Sequence, residues 1–144
     1  MSIIDTYSEL RAVVALTTSI RSLPTVFPTQ LNDVDLPLAL IIPGPGQEWN
    51  EHSLRLYRSL RTYIVRIYVK PVAQGLGIDE GATMVLPIID SVGSYLVRNP
   101  TLNNSVDHIG QQGEFSDGGL AVLMYGDVPY HGVEFQIAIT EKST

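Results

Sequence analysis

Cysteine is absent from the 144 residues. The chain can therefore form no disulfide and no thiolate metal site, and its stability must come from packing or from subunit contacts. Long apolar runs are also missing. No stretch approaches the roughly eighteen consecutive apolar residues of a membrane-spanning helix. Met1-Ser2-Ile3-Ile4-Asp5 is no basic segment leading into an apolar one, so no secretory leader is expected and an intracellular origin is the natural expectation. Positive charge is scarce: Lys and Arg number 9 against 15 Asp and Glu, for a net charge of −6. General nucleic-acid binding needs a dominant basic face, so such a role starts at a disadvantage. A hydrophobic share of 44% and a charged share of 17% describe a folded globular protein, and the length suits one domain, residues 1–144.

The scarce bases are unevenly placed. Arg55 to Lys70, RLYRSLRTYIVRIYVK, holds five of the nine (Arg55, Arg58, Arg61, Arg66, Lys70) and three of the seven tyrosines. Its run Ile64-Val65-Arg66-Ile67 favours strand. Fully extended at ~3.3 Å per residue it spans about 50 Å, against the five or six residues of an ordinary strand. Such a strand is expected to project beyond its own core and find a partner outside it. The rest of the chain has four bases and all fifteen acids, a basic strand on an acidic body, which suits association between copies. The competing reading is a solvated face of an edge strand, which guards against aggregation.

Around this segment the periodicities predict an α+β fold, a largely antiparallel twisted sheet with a long projecting strand or hairpin and two helices packed on it. Ile3, Ile4, Tyr7, Leu10, Val13, Val14 and Ile20 recur at helical spacing, predicting a helix over 3–21 that ends at Leu23-Pro24. Leu36–Ile42 reads as a buried strand stopped by Pro43-Gly44-Pro45-Gly46. Gln47–Ser53 is a polar stretch around Trp49, the single tryptophan. Asp79 suits a helix N-cap, and Met84, Val85, Ile88, Ile89, Val92, Tyr95 and Leu96 continue that helix to about Val97, with a kink or a delayed start at Pro87 and an end at Asn99-Pro100. Val106–Ile109, Leu120–Tyr125 and Gly132–Thr140 read as strands separated by glycine turns, Gly126-Asp127 among them.

Signs of catalysis are few. His52, His108 and His131 are far apart in sequence and lack ligand spacing, and His131 is read as part of a hydrogen-bonded turn. Glu114–Gly119 carries the carboxylates and glycines of a calcium loop without the repeated Asp-x-Asp spacing, so a turn is the better reading. Gly75-Leu76-Gly77 has the wrong spacing for a dinucleotide turn. No nucleophile elbow, phosphate-binding loop or zinc-protease motif occurs. Neither an enzyme activity nor a cofactor or metal is expected.

The order of segments resembles the tail terminator (tail completion) proteins of long-tailed bacteriophages. The similarity runs through Leu23-Pro24-Thr25-Val26-Phe27-Pro28, Leu36–Gly44, Tyr63-Ile64-Val65-Arg66-Ile67-Tyr68-Val69, Val97-Arg98-Asn99-Pro100-Thr101-Leu102 and Tyr125-Gly126, and ends with Tyr130-His131-Gly132-Val133-Glu134-Phe135-Gln136-Ile137. It implies a structural virion protein in the neck. A ring, hexameric in this family, would cap the tail tube protein and join it to the head-completion (stopper) complex. DNA would pass through the lumen without specific binding, helped by carboxylates that repel phosphates. The family offers no catalytic or ligand residues to carry over. Trp49, Arg55, Arg58, Arg61 and Arg66 are the candidate interface residues. The alternatives are another neck or minor tail protein, or a non-phage binding module whose long strand adds to a partner's sheet.

Overall fold

The computed structural model describes residues 3–17, 20–53, 56–72, 78–98 and 115–142. Helix α1 (Ile3–Ala15) is followed by a short 3-10 turn at Asp33–Asp35, and strands β1 (Leu38–Ser53) and β2 (Leu56–Pro71) form a long hairpin. Helix α2 (Ile78–Arg98) precedes β3 (Phe115–Asp117), β4 (Ala121–Tyr125) and β5 (Val128–Lys142). All strand pairs are antiparallel, in the order β1-β2-β5-β3, with β4 also on β5. The fold is α+β: one antiparallel sheet with two helices.

Alternation in the strands sets which side chains line one face. Three rows cross the sheet in register, Ala39–Ile67–Val133, Ile41–Val65–Phe135 and Pro43–Tyr63–Ile137. Both helices pack on this face, α1 through Leu10, Val13 and Val14 and α2 through Val85, Ile88, Val92 and Leu96. Each fully buried aliphatic or aromatic side chain contributes about 1.5–3 kcal/mol by leaving water. The opposite face is covered at one end, where Leu38, Leu40, Tyr68 and Tyr130 meet Leu31 and Leu36. The Tyr68 ring stands edge-on to Tyr125 and Tyr130, with centroids 5.5 and 5.8 Å away.

Several sequence expectations change. Helix α1 stops at Ala15, where the amides of Leu16 and Thr17 turn back to the Val13 and Val14 carbonyls, and Ile20 only abuts the core. Helix α2 begins at Ile78 and passes through the exposed Pro87, so Asp79 lies inside its first turn and there is no delayed start. Pro43-Gly44-Pro45-Gly46 does not stop β1, which runs on to Ser53. The reason is its position: β1 is an edge strand, and a residue without an N–H is tolerated where one side has no ladder. The polar stretch around Trp49 is therefore strand.

Glu114–Gly119, read as a turn, instead contains β3 and a bulge. Asp117 stands opposite Phe135 and Ala121 opposite Gly132, so the β3–β4 side holds one extra residue. Gly119 supplies it at φ +70°, a conformation that favours glycine, and its amide donates to Asp117 Oδ1 at 2.8 Å. Strands β3 and β4 are thus one edge strand broken by a glycine bulge. The expected strand at Val106–Ile109, the stop at Asn99-Pro100 and His108 lie outside the described residues.

Candidate functional site

The Arg55–Lys70 segment becomes β2, but it is neither an edge nor unaccompanied. β1 pairs with it from Leu56 to Tyr68, and β5 takes the other side from Arg58 to Pro71. Only Leu56 and Tyr57 of β2 extend past its last pairing with β5. A partner cannot add to this strand along its length, so strand addition by β2 is excluded. What the segment builds is the centre of a long three-stranded sheet end.

Register shifts at three places bend that end. Leu38 pairs with Tyr68 and Ser53 with Leu56, so sixteen residues of β1 lie against thirteen of β2, with irregularities after Pro43, Gln47 and Glu51. Each extra residue increases the local right-handed twist and breaks the edge that β1 offers to solvent.

Beneath the distal half lies a buried polar cluster. Tyr63, fully buried, donates its hydroxyl to Glu141 Oε1, and Arg61 Nε lies 3.4 Å from Glu141 Oε2. The Glu141 side chain is 0% exposed and that of Arg61 16%. Arg61 Nη1 then donates to the Gly44 carbonyl at 2.8 Å. This ties all three strands together just beyond the helix-covered rows. The glycines opposite make room for it: a Cβ on Gly46 would sit 2.7 Å from Arg61 Nη2, and one on Gly44 would fall against the Thr62 carbonyl. Such a buried charge pair adds little net stability over an apolar packing, but it fixes register because any slip strands a charge.

On the other face Arg66 Nε donates to Glu134 Oε1 at 2.7 Å, with side chains 40% and 26% exposed. The hydrogen bond to Glu134 raises the Arg66 guanidinium above its ordinary value. Among the candidate interface residues, Arg61 and Arg66 thus meet carboxylates of β5 in their own chain. The acidic neighbour expected from a second copy is supplied here within the subunit, eighty residues away for Arg61 and sixty-eight for Arg66. Arg58 lies on β2, paired in register with Asn50 and Lys142, and Trp49 lies on β1. Arg55 and the side chains of Trp49, His52 and Arg58 are outside the described residues.

His131 is not in a turn. It lies in β5, buried, with neither ring nitrogen hydrogen-bonded among the described residues and with Gly81 of α2 close over its ring. Sequence reasoning missed this because burial of a lone histidine leaves no local pattern. It also missed Glu141, whose importance comes wholly from its partners. A shallow groove of about 430 Å³ on α2 is lined by Ile89, Asp90, Gly93, Ser94, Val97 and Arg98. Among the described residues no group of three or more His, Cys, Asp or Glu side chains could hold a metal ion. No helix among the described residues is long and apolar enough to cross a membrane.

No family model matches the chain, and none of the curated proteins compared with it is significantly similar.

Proposed function

We propose that this chain is a structural subunit of a bacteriophage virion, a tail-terminator-type protein that assembles as a ring, six-membered by the family resemblance. The ring caps the tail tube protein and joins it to the head-completion complex, and DNA passes through its lumen without specific binding. Its place is the neck of the virion, assembled in the host cytoplasm, and its role is assembly, with no catalysis and no cofactor.

The observation that carries this reading is the hairpin. A sixteen-residue strand pair of this length costs conformational entropy that the helix-covered core does not require. The chain further invests a buried Arg61–Glu141–Tyr63 cluster in holding its distal half in register. A rigid extension of this kind suits a contact surface better than a solvated edge. The net charge of −6 gives a lumen that repels phosphates.

The test is imaging and mass measurement of the purified protein, alone and with tube protein. Closed rings of uniform size support the proposal. A monomer at high concentration that also fails to bind assembled tubes overturns it.

A further inference from the structure

The two edges of the sheet are protected unequally. Along β1, Pro43, Pro45 and three register shifts blunt the open side. At the other edge, β4 carries no proline and no charge, and its register with β5 is unbroken from Ala121 to Tyr125. That register shows which way its backbone groups turn. Met124 stands opposite Pro129. Proline has no N–H to give, so this is a non-hydrogen-bonded pair, and the N–H and C=O of Met124 turn away from β5. Alternation gives Val122, opposite His131, the same outward direction. Among the described residues β4 pairs with β5 only, and no backbone hydrogen bond from a loop or turn reaches Val122 or Met124. The two side chains lie on one face, two positions apart, and are 57% and 55% exposed.

An open, uncharged edge of this kind is a template for a further strand. A second β4 fits it in one register. With Leu123 of two antiparallel copies opposite each other, Val122 of each faces Met124 of the other. Both members of such a pair turn their N–H and C=O outward, so the register closes two hydrogen-bonded pairs. Sizes match as well, because Tyr125 of each copy stands against Ala121 of the other. By the same count Asp127 falls opposite Gly119, so no carboxylate directly faces another in spite of the net charge of −6.

We infer that β4 is a self-pairing edge, occupied by the β4 strand of a second copy about a twofold axis at Leu123. The two sheets then join into one. Register and charge select this occupant: the outward groups of Val122 and Met124 satisfy each other, and five uncharged residues meet five uncharged residues. A standard interface has about 20–30 residues a side, so a contact this short gives a weak, concentration-dependent dimer. The contact is isologous, joining two copies and ending there. It is therefore separate from the ring contact proposed above and does not depend on it.

Thiol cross-linking reads the register, because the chain has no cysteine of its own. Val122→Cys and Met124→Cys each replace an exposed side chain and should leave the circular dichroism unchanged. In the inferred register position 122 meets position 124 at a Cα separation of about 5.5 Å, which suits a disulfide. An oxidised equimolar mixture should give the mixed disulfide dimer several-fold faster than either variant gives its own. Sedimentation of the wild type from about 1 μM to 1 mM should show a reversible dimer. Val122→Pro removes an outward N–H that the subunit's own sheet does not use, and Met124→Lys puts a charge on the edge. Each should weaken dimerisation about tenfold or more while circular dichroism still shows a folded subunit. A wild type monomeric over the whole range, a mixture that cross-links no faster than the single variants, or dimers that persist in both edge variants would each overturn the inference. Rings whose cysteines fail to cross-link would overturn it and leave the ring standing. Cross-linked dimers that never form rings would support it and count against the ring alone.

Discussion

Replacing Glu141 probes the base of the hairpin most directly. Its side chain is wholly buried, accepts the Tyr63 hydroxyl and faces Arg61 Nε at 3.4 Å, while Arg61 is only 16% exposed. In Glu141→Ala the tyrosine loses this acceptor, an effect of about 1 kcal/mol. The guanidinium keeps the Gly44 carbonyl but loses its counter-charge. Breaking a buried pair from one side costs about 3–5 kcal/mol. At about 2–4 °C per kcal/mol for a domain of this size, the melting temperature should fall by about 10 °C. Glu141→Gln retains an acceptor for Tyr63 and should cost about 2 kcal/mol. The charge argument is isolated by a double-mutant cycle with Arg61→Met, in which removing the stranded guanidinium recovers part of the loss. Denaturant titration of the four proteins should give a coupling of about 1–3 kcal/mol. The control is Arg66→Ala: the Arg66–Glu134 pair has the same chemistry at 40% and 26% exposure, and its loss should cost only about 0.2–1 kcal/mol and fade with salt. Additive effects at Glu141 and Arg61, or a Glu141→Ala variant no less stable than Arg66→Ala, would refute the reasoning.

Three further outcomes follow from the same geometry. Gly44→Ala forces a Cβ against a backbone carbonyl and should destabilise more than Gly46→Ala, whose Cβ meets the movable end of Arg61; both should fall within the ~1–3 kcal/mol of overpacking, measured by thermal melts. Burial raises the Tyr68 hydroxyl above its ordinary value, partly offset by Arg66, and burial with the neighbouring Tyr68 raises Tyr125. The fold therefore favours the neutral phenols: their contribution is complete below about pH 10 and is lost as pH rises through the folded-state values. Denaturant midpoints on either side of about pH 10 should show a shallower alkaline loss in Tyr68→Phe than in the wild type. Duplex DNA should show no retardation with this protein in a gel shift at low salt, where electrostatic attraction is strongest. Salt-sensitive retardation would count against the repulsive lumen.

Local periodicity made the helices readable in advance. Val85, Ile88, Val92 and Leu96 recur every three or four residues because one stripe of α2 faces the sheet, and those residues are buried as expected. Alternation in Tyr63, Val65, Ile67 and in Val133, Phe135, Ile137, Ile139 likewise marked one face of β2 and β5. Together they were enough for the α+β class. What the sequence left open was which strand lies beside which. Pro43 and Pro45 argue for a stop only if both sides of a strand must be paired, and the edge position of β1 removes that requirement. The arginines of β2 read as charges awaiting an outside partner because Glu134 and Glu141 are distant in sequence. Antiparallel register brings those carboxylates to Arg66 and Arg61. Burial of His131 and the bulge at Gly119 are likewise decided by neighbours across the sheet. Side-chain pattern records what each residue faces, polar or apolar, within a few positions of itself. Pairing partners and the fate of buried charges depend on contacts across the chain, and only the tertiary structure fixes those.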